Sequence, residues 1–531
     1  MPISISLHQL SFRTPDGRFL FQNLELSFGP VRTGLVGRNG VGKSSLLALI
    51  AGEREPTSGT VHVEGTIGLL RQSVGFDESA SVADAVGIAE PLARLARLEA
   101  GLGTLEDAAE ADWTLPQRLA EALGEVGLSG IAPERPVATL SGGQRTRLSL
   151  AGLLLNAPDM ILLDEPTNNL DADGRAAVAE VLARWRGGAI VVSHDRTLLR
   201  EMDAIVELTS LGAASYGGNY DAFRARKQIE LEAAQRTLDD AERHLADVER
   251  RVQAQAERKA RRDGAGKRQA KKGGMPRILL GGMKRRAEAT AGSQSLLGTR
   301  LREDASAELR DARHKIEVLQ PVSVTLPPTG LPAGRRVLEL RGLSGGPDGT
   351  RIISECDLTI IGPERVAITG PNGSGKTTLL RLITGDLPPM AGTVVRGGRM
   401  ALLDQTVSLL NPAQTIRDNY RRLNPGEDEN ACRAALARFK FRADAALQMA
   451  GTLSGGEMLR AGLAATIGSA SPPELLILDE PTNHLDVEAI EAVEDGLRAY
   501  DGALLVVSHD RDFLEAIGIE REIALPAQAS A

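Results

Sequence analysis

The chain has 531 residues, a formal net charge of −8 and two cysteines, Cys356 and Cys432. That length suits roughly three domains at about 150 residues each, and two cysteines exclude a disulfide framework, a zinc quartet and an iron–sulfur set. The opening residues carry no basic n-region and no apolar run approaches the ~18 residues of a membrane helix, so the expectation is a cytoplasmic chain with no membrane insertion of its own.

In chain order, an apolar run from Val31 to Val36 leads into Gly37-Arg38-Asn39-Gly40-Val41-Gly42-Lys43-Ser44, and a helical pattern continues from Ser45 to Ala51. Strand, glycine-rich loop and helix form the setting in which G-x-x-x-x-G-K-S/T wraps phosphates with backbone N–H groups. Lys43 is placed to neutralise β- and γ-phosphate oxygens and the Ser44 hydroxyl to ligate Mg²⁺. Gln72 follows Gly37 by 35 residues, where an amide can ligate Mg²⁺ and feel the γ-phosphate. Leu140-Ser141-Gly142-Gly143-Gln144 reads as a helix start with close backbone access and an anion-binding N-terminus. The run Met160 to Leu163 ends in Asp164 and Glu165, and Ile190 to Val192 ends in Ser193-His194-Asp195. Asp164 suits metal coordination, Glu165 the positioning or deprotonation of an attacking water, and neutral His194 the γ-phosphate or that water.

The connector, 221–325, has another texture. Leu231, Ala234, Leu238, Ala241, Leu245, Val248 and Val252 are spaced alternately by three and four, a coiled-coil seam, and Leu301, Ala305, Leu309, Ala312, Ile316 and Leu319 keep nearly the same period. Between the stripes lie Gly264, Gly266, Gly273, Gly274, Gly281 and Gly282, mixed with Lys267, Arg268, Lys271, Lys272, Arg277, Lys284, Arg285 and Arg286. Residues 251–290 hold thirteen Lys and Arg against Glu257, Asp263 and Glu288, although the whole chain is acidic. The expected object is an antiparallel helical hairpin with a glycine-rich basic tip directed at a polyanion.

The motif set then recurs. Val366 to Thr369 leads into Gly370-Pro371-Asn372-Gly373-Ser374-Gly375-Lys376-Thr377, followed by Thr378 and a helical pattern to Ile383. Gln405 again lies 35 residues after the first glycine of its loop, Leu453-Ser454-Gly455-Gly456-Glu457 matches the first signature, Leu475 to Leu478 ends in Asp479-Glu480, and Leu504 to Val507 ends in Ser508-His509-Asp510. Lys376, Thr377, Asp479, Glu480 and His509 take the roles of their counterparts. Short apolar strands separated by helices imply a parallel sheet buried on both faces, with acids beyond the strand C-termini facing the phosphate loop. The expected fold is α/β: two P-loop nucleotide-binding domains, 1–220 and 326–531, joined by the α-helical hairpin linker 221–325.

The two LSGG signatures resemble those of ATP-binding cassette ATPases, and the tandem arrangement with Pro481-Thr482-Asn483-His484-Leu485-Asp486 and a charged helical linker resembles the ABC-F family over nearly the whole chain. The resemblance implies an intramolecular cassette pair in a monomeric chain. Site one would combine Lys43, Asp164 and Glu165 with Ser454–Gly456, and site two Lys376, Asp479 and Glu480 with Ser141–Gly143. It also implies Mg²⁺-dependent ATP hydrolysis and a ribosomal partner, with the linker cations contacting rRNA or peptidyl-tRNA near the tRNA exit site. Phe12 is the adenine-stacking candidate of the first half, while Leu343-Ser344-Gly345 offers none, and Asn169 stands where the second half has His484. The function expected is a translation factor or a ribosome-protecting resistance ATPase. The alternative, the energy-coupling subunit of a membrane transporter, leaves the basic linker unexplained.

Overall fold

The structure, a computed structural model, describes residues 3–71, 79–168, 170–270, 299–310, 326–483 and 485–526. They fall into two compact units, Met1–Phe223 with Val322–Ala531, and Arg224–Pro321.

The larger unit holds two repeats of one plan. In the first, a six-stranded sheet runs in the order Ile67–Leu70, Met160–Asp164, Gly188–Val192, Arg32–Val36, Ala204–Thr209, Gly212–Gly217. Its pairs are parallel except the last, where Ala204–Thr209 and Gly212–Gly217 form a hairpin. In the second, Met400–Leu403, Leu475–Asp479, Ala503–Val507, Arg365–Thr369 and Arg521–Ala524 form a five-stranded parallel sheet. Each repeat adds a three-stranded antiparallel sheet, with Ser4–Arg13 between Phe19–Phe28 and Ser58–Glu64, and Arg336–Gly345 between Ile353–Ile361 and Ala391–Arg396.

The continuous apolar runs follow from burial on both faces. Along Met160–Asp164, Ile161 and Leu163 pack with Leu148, Val178 and Val191, whereas Met160 and Leu162 pack on the other side with Leu46, Leu47 and Ile190. In the second repeat Leu476 and Leu478 join Leu459 and Val506, while Leu475 and Ile477 join Leu379 and Leu505. With alternate side chains entering different cores, no position along such a strand tolerates a charge until the strand ends. Full burial of each such side chain contributes about 1.5–3 kcal/mol relative to exposure.

The extra length of the first repeat before its signature folds into Ala89–Glu99 and Leu105–Ala109, short helices tied by Asp107, which accepts from Arg97 Nη2 at 2.7 Å and from Thr104 N at 3.0 Å.

The helix Tyr220–Ala270 runs 51 residues and belongs to the smaller unit from Arg224 onward, where a second helical segment covers 299–310. His244 Nδ1 lies 3.0 Å from Glu308 Oε2 and Arg302 Nε 4.0 Å from Glu249 Oε1, a register that runs the two segments antiparallel. Leu238, Ala241, Leu245 and Leu309 pack between them. One expectation is corrected: Gly264 and Gly266, assigned to the tip, continue the first helix. Each glycine costs about 1 kcal/mol in a helix interior, a cost met here by the neighbouring Ala, Lys, Arg and Gln, all good helix formers.

Candidate functional site

Each glycine-rich loop starts where its strand meets a neighbour's backbone. A side chain at Gly37, φ 148°, would place its Cβ 2.2 Å from the Leu208 carbonyl oxygen, and one at Gly370, φ 142°, would lie 2.6 Å from the Leu525 carbonyl oxygen. The loops end on Gly42 and Gly375 in left-handed conformation, with no side chain capping the helices Lys43–Ile50 and Lys376–Thr384. The first N–H groups of both helices therefore point into the loops, an arrangement suited to phosphate. Lys43 Nζ donates to the carbonyls of Gly37 (2.6 Å) and Arg38 (3.2 Å), and Lys376 Nζ to those of Gly370 (2.8 Å) and Pro371 (3.1 Å). Burial lowers both lysine pKa values, opposed by the nearby carboxylates.

Asp164 shares the strand face of Met160 and Leu162, toward the helix behind the loop. There it hydrogen-bonds Ser44, and its Oδ1 is buried with no partner. In the second repeat Thr377 Oγ1 donates to Asp479 Oδ2 at 3.0 Å. By alternation the next residue would point away, but Glu165 and Glu480 take φ of 50° and 46°, which turns each carboxylate back toward its loop. Their N–H groups donate to Val192 O (2.9 Å) and Val507 O (2.8 Å), fixing the turn against the strand that carries the histidine. His194 Nε2 then lies 3.0 Å from Glu165 Oε1, and His509 Nε2 3.4 Å from Glu480 Oε1.

Burial dominates the electrostatics. It raises Glu165, against the pull of Lys43, and pushes Glu480 up to about 7, against Lys376. It also lowers His194 well below its ordinary value and brings His509 down to about 4, each helped by the neighbouring lysine. Near neutral pH both imidazoles are neutral, and the Glu480 carboxyl titrates close to the range in which a general base works best.

A cleft of about 420 Å³ gathers Lys376, Thr377, Gln405, Asp479, Glu480 and His509 of the second repeat with Leu170 of the first. A larger cleft of about 980 Å³, on the Met400–Leu403 side of the second repeat, holds none of these groups. The first and second repeats touch at the loops themselves. Asp486 Oδ1 caps its own helix through Ala489 N (2.8 Å) while Oδ2 accepts from Asn39 N (2.8 Å), and Asp171 caps through Gly174 N (3.0 Å) while accepting from Asn372 N (3.3 Å). Arg38 Nε adds a 2.7 Å ion pair to Glu488 Oε2.

Ser141 and Ser454 cap the helices Gly142–Asn156 and Gly455–Thr466 in reciprocal boxes with Gln144 and Glu457. The second of these helices packs its Gly456 against Ala489, just behind Asp486. Ser45, Gly40, Val41, Gly373, Ser374 and Thr378 stay within their loops and first helical turns.

Phe12 does not suit the role assigned to it. It is 7% exposed, belongs to the core with Leu10, and tilts against Phe21 with ring centroids 6.3 Å apart, so its faces are taken by packing. Gln72, Asn169, His484, Lys271, Lys272, Arg277, Lys284, Arg285 and Arg286 lie outside the described residues. Lys267 and Arg268 fall on the helix Tyr220–Ala270.

Asp171 and Asp486 were not singled out from sequence as site residues, although an Asp just before a helix at matched positions in both repeats is a readable N-cap signal. Of the cross-repeat partners Arg196, Glu494, Arg200 and Asp512, Arg196 recurs as Arg511, and the other three carry no such repeated signal.

The sequence model of the family described as ABC transporter matches residues 21–168 and 353–483. The tylosin resistance ATP-binding protein TlrC of Streptomyces fradiae is 33% identical over 546 aligned positions, covering 96% of this chain and 94% of that protein. The energy-dependent translational throttle protein EttA of Mycobacterium tuberculosis is 32% identical, covering 94% and 87%. An archaeal ribosome recycling factor, aABCE1, solved with the ribosomal stalk protein aP1, shares the fold at a TM-score of 0.56 and 17% identity, over 97% of this chain and 87% of that one. No helix among the described residues is long and apolar enough to cross a membrane.

Proposed function

The chain belongs to the ABC-F family of ATP-binding cassette ATPases, and we propose that it acts on the ribosome, with ATP closing its two cassettes on each other and hydrolysis releasing them. It binds and hydrolyses ATP. The observation that carries the closure reading is the reciprocal hydrogen bonding of Asn39 to Asp486 and Asn372 to Asp171, which makes each phosphate loop depend on the opposite cassette.

In this reading the loop N–H groups and Lys43 or Lys376 hold the β- and γ-phosphates. The signature helices begun by Ser141 and Ser454 complete the opposite sites. Glu165 and Glu480 orient the attacking water and accept its proton as the new bond to the γ-phosphorus forms and the bond to the β-bridging oxygen breaks. His194 and His509, neutral and in reach of those carboxylates, fix their rotamers and the γ-phosphate. The oxygen-only sets fit a hard divalent cation: Ser44 with Asp164, whose buried Oδ1 lacks a partner, and Thr377 with Asp479 and Gln405. Mg²⁺ held there would neutralise phosphate charge.

The ribosome enters through relatives named for translational throttling and for resistance to tylosin. The same partner gives the basic linker an RNA target, its cations binding phosphates without reading sequence. A soluble cytoplasmic chain follows from that partner. No observation favours the transporter-subunit alternative. The test is co-sedimentation of the Glu165→Gln/Glu480→Gln protein with ribosomes in ATP and in ADP. Pelleting in ATP alone supports the proposal, and equal, absent or membrane-directed binding refutes it.

A further inference from the structure

Arg175 lies on the helix Ala172–Arg184, four residues beyond the capping Asp171. Its Nε donates to the Leu170 carbonyl at 3.3 Å and its Nη1 to Asp195 Oδ2 at 3.4 Å. Those two acceptors belong to different sites. Asp195 adjoins His194, which stands 3.0 Å from Glu165 in the first site. Leu170 lines the second site's cleft beside Lys376, Glu480 and His509, and the next residue, Asp171, accepts from the second loop at Asn372 N. One planar guanidinium thus joins the histidine loop of the first site to the segment that walls the second.

The second cassette has no equivalent. Four residues beyond its capping Asp486 stands Ile490, 2% exposed and packed in the apolar core. Asp195 and its counterpart Asp510 make the same turn bond, accepting from Leu198 N and Phe513 N, but the Ile490 side chain has no group to offer Asp510. The second cassette's counterpart segment supplies an acid instead, Glu488, which pairs with Arg38 of the first phosphate loop.

We propose that Arg175 is a positioning residue that couples the two ATP sites in one direction, passing a displacement of the His194–Asp195 loop in the first site to the Leu170–Asp171 wall of the second. The inference rests on the reading of two composite ATP sites. Both hydrogen bonds are near the long limit of their class, so a small shift of the Asp195 loop breaks its own bond and removes that loop's hold on the guanidinium that also bonds Leu170. The guanidinium's charge also reaches Glu480 and His509, favouring the carboxylate and the neutral imidazole, so loss of the bridge alters both the wall and the field of the second site.

The experiment measures single-turnover phosphate release from the full chain in two backgrounds. With Glu165→Gln, release comes from the second site; with Glu480→Gln, from the first. Arg175→Ile installs the residue that the second cassette already accommodates at this position, and Arg175→Gln serves as a second variant if the first loses its melting transition. The expected result is a change of about fivefold or more in the Glu165→Gln background, with release in the Glu480→Gln background within about twofold of its parent, a margin far below the fivefold coupling expected. Equal effects in both backgrounds, or none in either, overturn the coupling. If neither single Gln variant lowers phosphate release, the composite-site reading itself fails, whatever Arg175 does.

Discussion

Arg196 of the first cassette and Glu494 of the second form an ion pair across the cassette boundary with side chains only 10% and 6% exposed. One helical turn further along the same contact, Arg200 Nη1 lies 2.9 and 2.8 Å from the two carboxylate oxygens of Asp512, with side chains 36% and 20% exposed. Removing one partner of a buried pair leaves the other charge desolvated, whereas a wetter pair is screened. Arg196→Ala is therefore expected to lower stability by about 3–5 kcal/mol and Arg200→Ala by about 1 kcal/mol or less. Urea unfolding of both variants checks this, and equal losses would contradict it.

Glu165→Gln with Glu480→Gln keeps the shape of both sites and removes both carboxylate bases. Phosphate release should fall by roughly 10²–10⁴-fold while ATP binding, measured by equilibrium dialysis, stays close to wild type. Loss of nucleotide binding in the double variant would place these residues in the fold of the loop and not in the chemistry.

Two glycines separate architecture from approach. A Cβ at Gly37 collides with the Leu208 carbonyl, whereas one at Gly142, the first helical residue after Ser141, meets nothing within 4 Å. Gly37→Ala should lose stability and nucleotide binding together. Gly142→Ala should melt as wild type yet turn over more slowly, because the added methyl stands where the opposite nucleotide approaches. Unchanged turnover in Gly142→Ala would remove this glycine from the site.

The brace on the first cassette's extra helices gives a pH signature. Hydrogen bonds from Arg97 and then from Thr104 hold the Asp107 carboxyl well below the usual carboxylate range. A depressed carboxyl contributes stability that is complete above its unfolded pKa near 4 and disappears as pH falls through the folded value. The difference in melting temperature between wild type and Asp107→Asn should be constant from about pH 8 to 5 and shrink below about pH 4. A difference that instead grew on acidification would exclude the ion pair as its source.

Neutralising Lys267, Arg268, Lys271 and Lys272 together should weaken ribosome binding and reduce the slope of log affinity against log salt by about 3, with ATP affinity unchanged. An unaltered slope would take these cations out of the RNA contact.

Much of this site is legible in the sequence, because its chemistry leaves little choice of residue. Only glycine fits where Leu208 and Leu525 carbonyls press on the loops, only an acid at a strand end can meet a phosphate loop, and every such demand occurs twice. Repetition also sets the limit. Arg175 and Arg200 stand opposite Ile490 and Glu515 at matched positions, so comparing the two halves cannot reveal them, whereas Arg196 does recur, as Arg511. Phe12 misleads for another reason: its distance from the loop says nothing about which face of its strand it occupies, and that face is the core. Gly264 and Gly266 read as punctuation, but two glycines among strong helix formers do not outweigh the run around them.

The order of synthesis inherits a consequence from the parallel sheets. The strand Arg32–Val36 that launches the first phosphate loop finds its partners only in Gly188–Val192 and Ala204–Thr209, and Leu208 is the residue that closes on Gly37. At translation speeds of about 5–20 residues per second, the loop waits on the order of 10–30 s for its walls. The second loop waits likewise for Ala503–Val507 and Arg521–Ala524. Each cassette therefore acquires a formed nucleotide pocket late and abruptly. Because the first has every strand it needs before residue 370 is made, the nascent chain can hold ATP in a half-built machine that has nothing yet to close upon.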